Sequence, residues 1–408
     1  MSELHPPIKS RSSLNIPLAY MNPWWEGKED YHVMRWREQE TRWWPKWADG
    51  LSLEPFSLNF VLGPRQVGKT TGIKLLIERL LKENPPESVI YINVEILPDY
   101  RELSALIRGF QELKESEGIK KGYIFLDEAS SLEGWWRGIK PLIDAGLLEN
   151  DVITVTGSSS LRVKRDIELF PGRRGKGKTL EAMPLSFREY AEVMDLKRPE
   201  LHREKTLKLF EGYLKTGGFP GSINGLPMDD LLGAYIGEFV RFRKSLEIAR
   251  ETLAAVIRSA PSATSFRALA GMTSGYSYKV VQDYIEFFRK LYVLGIAYLR
   301  QGEQVLYKRE KKVFFRDPLL ARLFSAWSGA QLREEALYEW LVQEHLYRRF
   351  GEVYYYRNSH EIDAIAGGMK VEIKAGKAHR RYPRNVIVLE REDVPFFLLG
   401  ITPPQPAL

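Results

Sequence analysis

The 408-residue chain contains no cysteine. Disulfides, thiolate zinc sites and cysteine nucleophiles are therefore excluded. No apolar run approaches the ~20 residues that a membrane-spanning helix needs, and the N-terminus has no signal-peptide pattern. The expectation is a cytoplasmic protein with no membrane partner. What the chain does have is a hydrophobic content of 44%, ample for real cores, and enough length for several domains. Its formal charge of +7 and pI near 9.2 permit a polyanionic partner without requiring one. The cations cluster at 162–178, Arg241–Lys244, Lys308–Lys312 and His379–Arg384, and solvated faces would account for such clusters equally well.

The strongest motif is Gly63-Pro64-Arg65-Gln66-Val67-Gly68-Lys69-Thr70-Thr71, which fits G-x-x-x-x-G-K-[ST]. Ser57–Leu62 before it reads as a buried strand, and Thr70–Leu81 after it repeats apolar residues at helical spacing. The glycines let backbone N–H groups turn onto a polyphosphate, and the helix N-terminus adds partial positive charge. All nine residues are candidate ATP contacts. Lys69 would reach the β- and γ-phosphates, and the Thr70 hydroxyl would hold Mg²⁺.

Hydrolysis needs a second acidic strand end, and Gly122–Leu126 closing in Asp127-Glu128 supplies one. Asp127 would orient Mg²⁺, and Glu128 would polarise the attacking water. Strands at 88–93 and 151–156 and a helix at 101–114 make the pattern α/β, with a parallel sheet and its ligands at the carboxyl edge. Thr156 and Ser158, at the end of the 151–156 strand, are candidates to touch the γ-phosphate or the water. An ordinary serine-rich turn is the alternative.

Four motifs in order carry a family resemblance: Gly63–Thr71, Phe125-Leu126-Asp127-Glu128-Ala129, Thr156–Ser160 and Pro184-Leu185-Ser186-Phe187-Arg188-Glu189-Tyr190. From about residue 50 onward the chain resembles the AAA-type P-loop ATPases of archaea and bacteria that carry a C-terminal nuclease-like domain. The resemblance implies an ATPase core at 51–183 after a Trp-rich extension (1–50), then a helical lid (184–240), a winged helix (241–325) and a small nuclease-like α/β domain (326–408). It also implies that Arg173, in Gly172-Arg173, contacts the γ-phosphate held by a neighbouring subunit or domain, the former making the protein a homo-oligomer; a basic surface loop is the alternative.

Six of the ten tryptophans precede residue 50; Val33, Trp36, Trp43 and Trp47 fall on one helical stripe interrupted at Pro45, read as packing against the core. A helix is expected over 189–214, ended by Gly217-Gly218. Helices at 245–260, 265–270 and 277–291 followed by short strands at 295–300, 304–308 and 312–316 have a winged-helix layout, with Lys279, Gln282 and Lys290 on the recognition helix. DNA is the expected partner, and DNA processing or remodelling the work of hydrolysis. An ATP-dependent protein-interaction switch is the alternative.

A helix at 331–350 and a strand at 352–357 lead to Glu361–Lys374, whose Gly367-Gly368 forms a hairpin turn. With that tip, Asp363 faces Glu372 and Glu361 faces Lys374, so Asp363, Glu372 and Lys374 share one sheet face. Opposed carboxylates need a proton or a cation between them, and a second Mg²⁺ or Mn²⁺ suits the place. The pattern resembles PD-(D/E)xK nucleases, which implies an endonuclease site of Glu339, Asp363, Glu372 and Lys374, with Arg380, Arg381 and Arg384 on the DNA backbone. An inactive nuclease-like module, or a plain Glu361–Lys374 ion pair, are the other readings.

Overall fold

Six consecutive residues, Ser57–Leu62, form a strand (β1) with no exposed position, an inner strand of a five-stranded sheet. The other strands are β2 (Val89–Asn93), β3 (Tyr123–Asp127), β4 (Val152–Gly157) and β5 (Thr179–Glu181), in the order β2-β3-β4-β1-β5, all parallel. Strands buried on both faces read as continuous apolar runs, which is why they were legible. The computed structural model describes residues 18–158, 168–358, 361–374 and 383–401. Two compact units divide the chain: residues 1–39, 44–62 and 68–182, and residues 40–43, 63–67 and 183–408.

In the first unit, helices Lys69–Leu80, Tyr100–Ser116 and Trp136–Asp144 connect the strands. Leu58, Phe60 and Leu62 of β1 pack with Ile90, Ile124, Ile153 and Trp135 into one core, where Trp135 stacks on Phe170 at 5.8 Å. Gly172–Lys178 runs along the far side of β1, with Leu58 N–H donating to the Arg174 carbonyl and Phe60 N–H to that of Lys178. Gly177 is required there, because a Cβ would lie 2.0 Å from the Leu58 carbonyl oxygen.

The tryptophan stripe is not one helix. Tyr31–Glu38 is helical, residues 39–45 are not, and a short 3₁₀ turn covers Lys46–Gly50. Its packing role in this unit is visible in two places. Trp47 covers Gly72, where a Cβ would lie 2.3 Å from the ring. Trp24 and Trp25 donate to the Val89 carbonyl, and Asn22 both accepts from Tyr91 N–H and donates to its carbonyl. Side chains thus satisfy the open edge of β2, which would otherwise invite another strand.

In the second unit the helix expected over 189–214 is two helices, Phe187–Val193 and Arg203–Thr216. Pro199 and the left-handed Arg198 (φ 51°) interrupt it. A Ser186–Glu189 capping box starts the first. Helices Leu246–Ser259, Phe266–Ala270 and Tyr278–Lys290 precede β6 (Leu294–Gln301), β7 (Gln304–Val305) and β8 (Lys311–Phe315), the element order expected of a winged helix. The boundary drawn at 325 does not separate two bodies. It falls within helix Pro318–Ser328, and β6 pairs with β9 (Tyr354–Arg357) of the C-terminal segment. With β10 (Glu361–Ala366), β11 (Met369–Lys374) and β12 (Ile387–Glu390) they form one sheet, β12-β11-β10-β9-β6-β7, with β8 on β6.

His345 ties this unit internally. Its Nε2 accepts Phe187 N–H at 3.0 Å and its Nδ1–H donates to the Leu341 carbonyl at 2.8 Å, so the ring is neutral. Burial, then the Arg348 charge, pushes its pKa down to about 4. Between that value and the ordinary ~6.5 the unfolded chain binds a proton that the folded chain refuses, so stability is lost as pH falls through this window. His345→Gln keeps an acceptor for Phe187 but removes the titration. The wild-type advantage in urea unfolding should shrink by up to about 3 kcal/mol between pH ~7.5 and ~4.5; an unchanged advantage would refute this.

Candidate functional site

The loop after β1 is curled by two left-handed residues, Gln66 (φ 59°) and Gly68 (φ 84°), and its helix starts at Lys69. Gly68 adopts that conformation at little cost, and such curling gathers backbone N–H groups into an anion-binding concavity. Residues Gly63–Val67 group with the second unit. There Arg65 Nε donates to Glu238 at 2.9 Å and Gln66 Nε2 to the Asp230 carbonyl at 2.9 Å. Glu238 is 1% exposed and also pairs with Arg241 at 3.1 Å. Arg65 of the expected phosphate loop and Arg241 of the predicted basic run thus share one buried carboxylate.

Within the first unit, β3 and β4 deliver the remaining residues. Asp127, 2% exposed, accepts three hydroxyls. Thr70 Oγ1 and Tyr91 OH bond its Oδ2 at 2.6 and 2.8 Å, and Thr156 bonds its Oδ1. Thr156 also accepts Glu128 N–H at 3.0 Å, so its hydroxyl serves the carboxylate pair. Ser158, 1% exposed, has no hydrogen-bond partner for its hydroxyl among the described residues.

Glu128 sits in the left-handed region (φ 52°), a strained place for a residue with a side chain. Its Oε1 lies 4.0 Å from Lys69 Nζ, and Lys69 itself is 4% exposed. An ammonium, two carboxylates and three hydroxyls therefore meet at the carboxyl edge of a parallel sheet, beside a helix N-terminus. Arg173 is not brought to this group: its guanidinium pairs with Asp144 and donates to the Pro171 carbonyl at 3.2 Å. Ser159 and Ser160 lie outside the described residues.

Sequence reasoning missed the support behind Asp127. Tyr91, on β2, is held protonated by burial and then by the Asp127 charge, which raise its pKa well above the ordinary value. Lys74 Nζ lies 3.4 Å from the Tyr91 ring centroid and bonds Asp30 and the Met21 carbonyl, both at 3.0 Å. A lysine in the buried stripe of the P-loop helix was the available signal.

Residues 56–191 match the family model described as AAA domain. With the geometry above, this segment is an AAA-type P-loop domain. No curated protein matches the chain. Among solved structures, the Aeropyrum pernix ORC2 protein (ADPNP–ADP complexes) is similar at 13% identity, TM-score 0.37, over 67% of this chain and 88% of that one. The Aeropyrum pernix ORC1 protein in complex with DNA is similar at 14% identity, TM-score 0.34, over 66% and 86%. The Thermotoga maritima RuvB Holliday junction branch migration motor is similar at 14% identity, TM-score 0.27, over 61% and 83%. Likenesses this low identify no shared activity. Among the described residues no helix is long and apolar enough to cross a membrane.

Outside the AAA domain, the C-terminal carboxylates differ from expectation. The hairpin register is as read at the tip, with Ala364 opposite Val371, Ile365 opposite Lys370 and Ala366 opposite Met369. Asp363 and Glu372 are nevertheless both buried, at 6% and 2% exposure. The Glu361–Lys374 pair does not form. Glu361 bonds Lys312 Nζ at 2.9 Å, while Lys374 pairs with Glu372. Lys312, read as part of a surface basic run, is 3% exposed and also bonds Glu339 at 2.9 Å and Asp363 at 2.6 Å.

Burial alone would lower the Lys312 pKa, but Glu339, Asp363 and Glu361 override it and hold the ammonium charged. One ammonium cannot neutralise three carboxylates; burial, then the Asp363 charge, pushes the Glu339 carboxyl up, to about 8. The expected second divalent metal is unsupported. Among the described residues no group of three or more His, Cys, Asp or Glu could hold a metal ion. Arg380 and Arg381 lie outside the described residues.

Tyr91→Phe removes a hydrogen bond to a buried carboxylate and nothing else. It should cost about 1.5–3 kcal/mol in chemical denaturation. A loss near zero would show that Asp127 does not depend on Tyr91.

Proposed function

We propose that the chain is an ATPase that binds ATP on Gly63–Thr71 and hydrolyses it with Lys69, Thr70, Asp127 and Glu128, using the cycle to act on DNA. One observation carries the hydrolytic reading: Thr70, Asp127, Thr156 and Glu128 form a single hydrogen-bonded group with Lys69 4.0 Å from Glu128. The residues fit Mg²⁺, since the Thr70 hydroxyl already lies 2.6 Å from Asp127 Oδ2 and both are hard oxygen donors. Bound there, Mg²⁺ would neutralise phosphate charge.

The other steps belong to the chain's own residues. Loop N–H groups and Lys69 hold the phosphates, and Glu128 takes the proton of the attacking water. Thr156 fixes Glu128 through its N–H, and the buried Ser158 hydroxyl is left for the γ-phosphate or the water. Arg173, paired with Asp144 and one-third exposed, would have to leave that carboxylate to act on the phosphate of a neighbouring copy in a homo-oligomer.

The DNA reading rests on net charge +7 and on exposed Lys279, Gln282 and Lys290 along one side of helix Tyr278–Lys290. Its opposite side, with Val281, Ile285 and Phe288, is core. The protein-interaction switch is favoured by one fact: Lys311 and Lys312, two of the cations counted toward DNA, are buried at 5% and 3% exposure.

Glu128→Gln should keep ATP binding and lower phosphate release by roughly 10²–10⁴-fold. Lys69→Ala should lose both; a Glu128→Gln variant hydrolysing at the wild-type rate would refute the assignment. Duplex or branched DNA should stimulate hydrolysis. Its affinity should fall steeply between ~50 and ~200 mM salt, with Lys279→Ala and Lys290→Ala each reducing the log–log slope by about 1. Salt-insensitive binding, or none, favours the switch.

A further inference from the structure

The resemblance to PD-(D/E)xK nucleases would put a metal ion at Glu339 and Asp363, and the Lys312 ammonium bonds both of them. Glu339 comes from helix Glu334–Phe350, Glu361 and Asp363 from β10, and Lys312 from β8 on the other side of the same sheet system. The helix packs on both β8 and β10, which closes the four side chains together. Lys312 Nζ lies 2.6 Å from Asp363 and 2.9 Å from each of Glu339 and Glu361, one carboxylate for each ammonium proton. A divalent ion bridging these oxygens at ~2.0–2.2 Å would have to sit where the amine sits.

We infer that Lys312 is the resident cation of this cluster, so that the nuclease-like segment carries the carboxylate frame without binding the divalent metal that phosphodiester cleavage there would need.

The rest of the site supports this. Asp363 Oδ2 accepts Ile373 N–H at 2.9 Å, and Gln343 donates to Glu339 at 2.9 Å and to the Asp363 carbonyl at 3.1 Å. Lone pairs that a metal would use are thus already engaged. Glu372 and Lys374, the remaining pair of the expected motif, bond each other. A metal could enter only by expelling a buried ammonium whose partners it would also take, and the ammonium has no second set of acceptors described around it. Lysine at this strand position is chemically specific. It follows apolar burial on β8, where Val313, Phe314 and Phe315 are also buried, so its charge is retained for an internal partner. The cluster lies apart in sequence from the ATP motifs, so hydrolysis and metal binding are separate readouts.

The test uses full-length, nucleotide-free protein and Mn²⁺ as the probe, with bound ion counted by equilibrium dialysis. Wild type, Asp363→Asn and Glu339→Gln should bind the same amount, since the cluster contributes nothing. Lys312→Met, which keeps the alkyl stem and removes the charge, should bind one further ion per chain, and adding Asp363→Asn should abolish it. The inference is overturned if wild type binds an ion that Asp363→Asn or Glu339→Gln removes, or if folded Lys312→Met gains none. Should Lys312→Met not fold, the comparison of wild type with the two carboxylate variants decides alone. Cutting of branched DNA in Mn²⁺ that depends on Asp363 overturns it as well. Failure here leaves the ATPase reading intact, because Lys69→Ala and Glu128→Gln act at a different site.

Discussion

Asp127 is the constraint on which the nucleotide site depends. A buried carboxylate with three hydroxyl donors fixes Thr70 at the start of the P-loop helix, Tyr91 on β2 and Thr156 on β4. Breaking such a group strands a charge in a dry interior, which costs more than any one bond contributes. The strand order makes it possible: β4 lies between β1 and β3, so its hydroxyl falls between the phosphate loop and the acidic strand end. Thr156 then holds Glu128 by its N–H, in a backbone conformation that would otherwise relax.

The same economy of charge recurs through the molecule. Lys74 lies buried with Asp30 beneath Tyr91, Lys114 with Asp151 beneath the sheet, and Arg316 and Arg348 share Glu344. Each cation is an internal counterion in the fold. Lys312 is the case with functional weight. It converts an acidic cluster that would call for a metal into one already neutralised in part. The excess of basic residues is therefore a poor guide to the charge available to a polyanion, because several of the cations never reach the surface.

Regular elements were legible where periodicity and burial agree. The P-loop, the strands around it and the helices at 246–259 and 278–290 follow from runs of apolar residues bounded by turn formers. The helix over 189–214 was misread because its apolar spacing continues through Pro199, whose ring the regular helix cannot accept. The tryptophan stripe, read as interrupted at Pro45, leaves the helix earlier, after Glu38. The hairpin register at Gly367-Gly368 could be counted from its tip, but the partners of Glu361 and Lys374 could not. Register states which residues stand opposite, not which way a long side chain turns.

By itself the sequence determined that a phosphate-binding loop follows a buried strand and that an acidic strand end follows later, since both are local patterns with local physical causes. Only the tertiary structure decided which side chains complete them. Tyr91, Thr156 and Lys312 reach their carboxylates across 27 to 51 residues of chain. Contacts of that kind depend on strand order and on the absence of water around a charge, and neither is written in the spacing of residues along the chain.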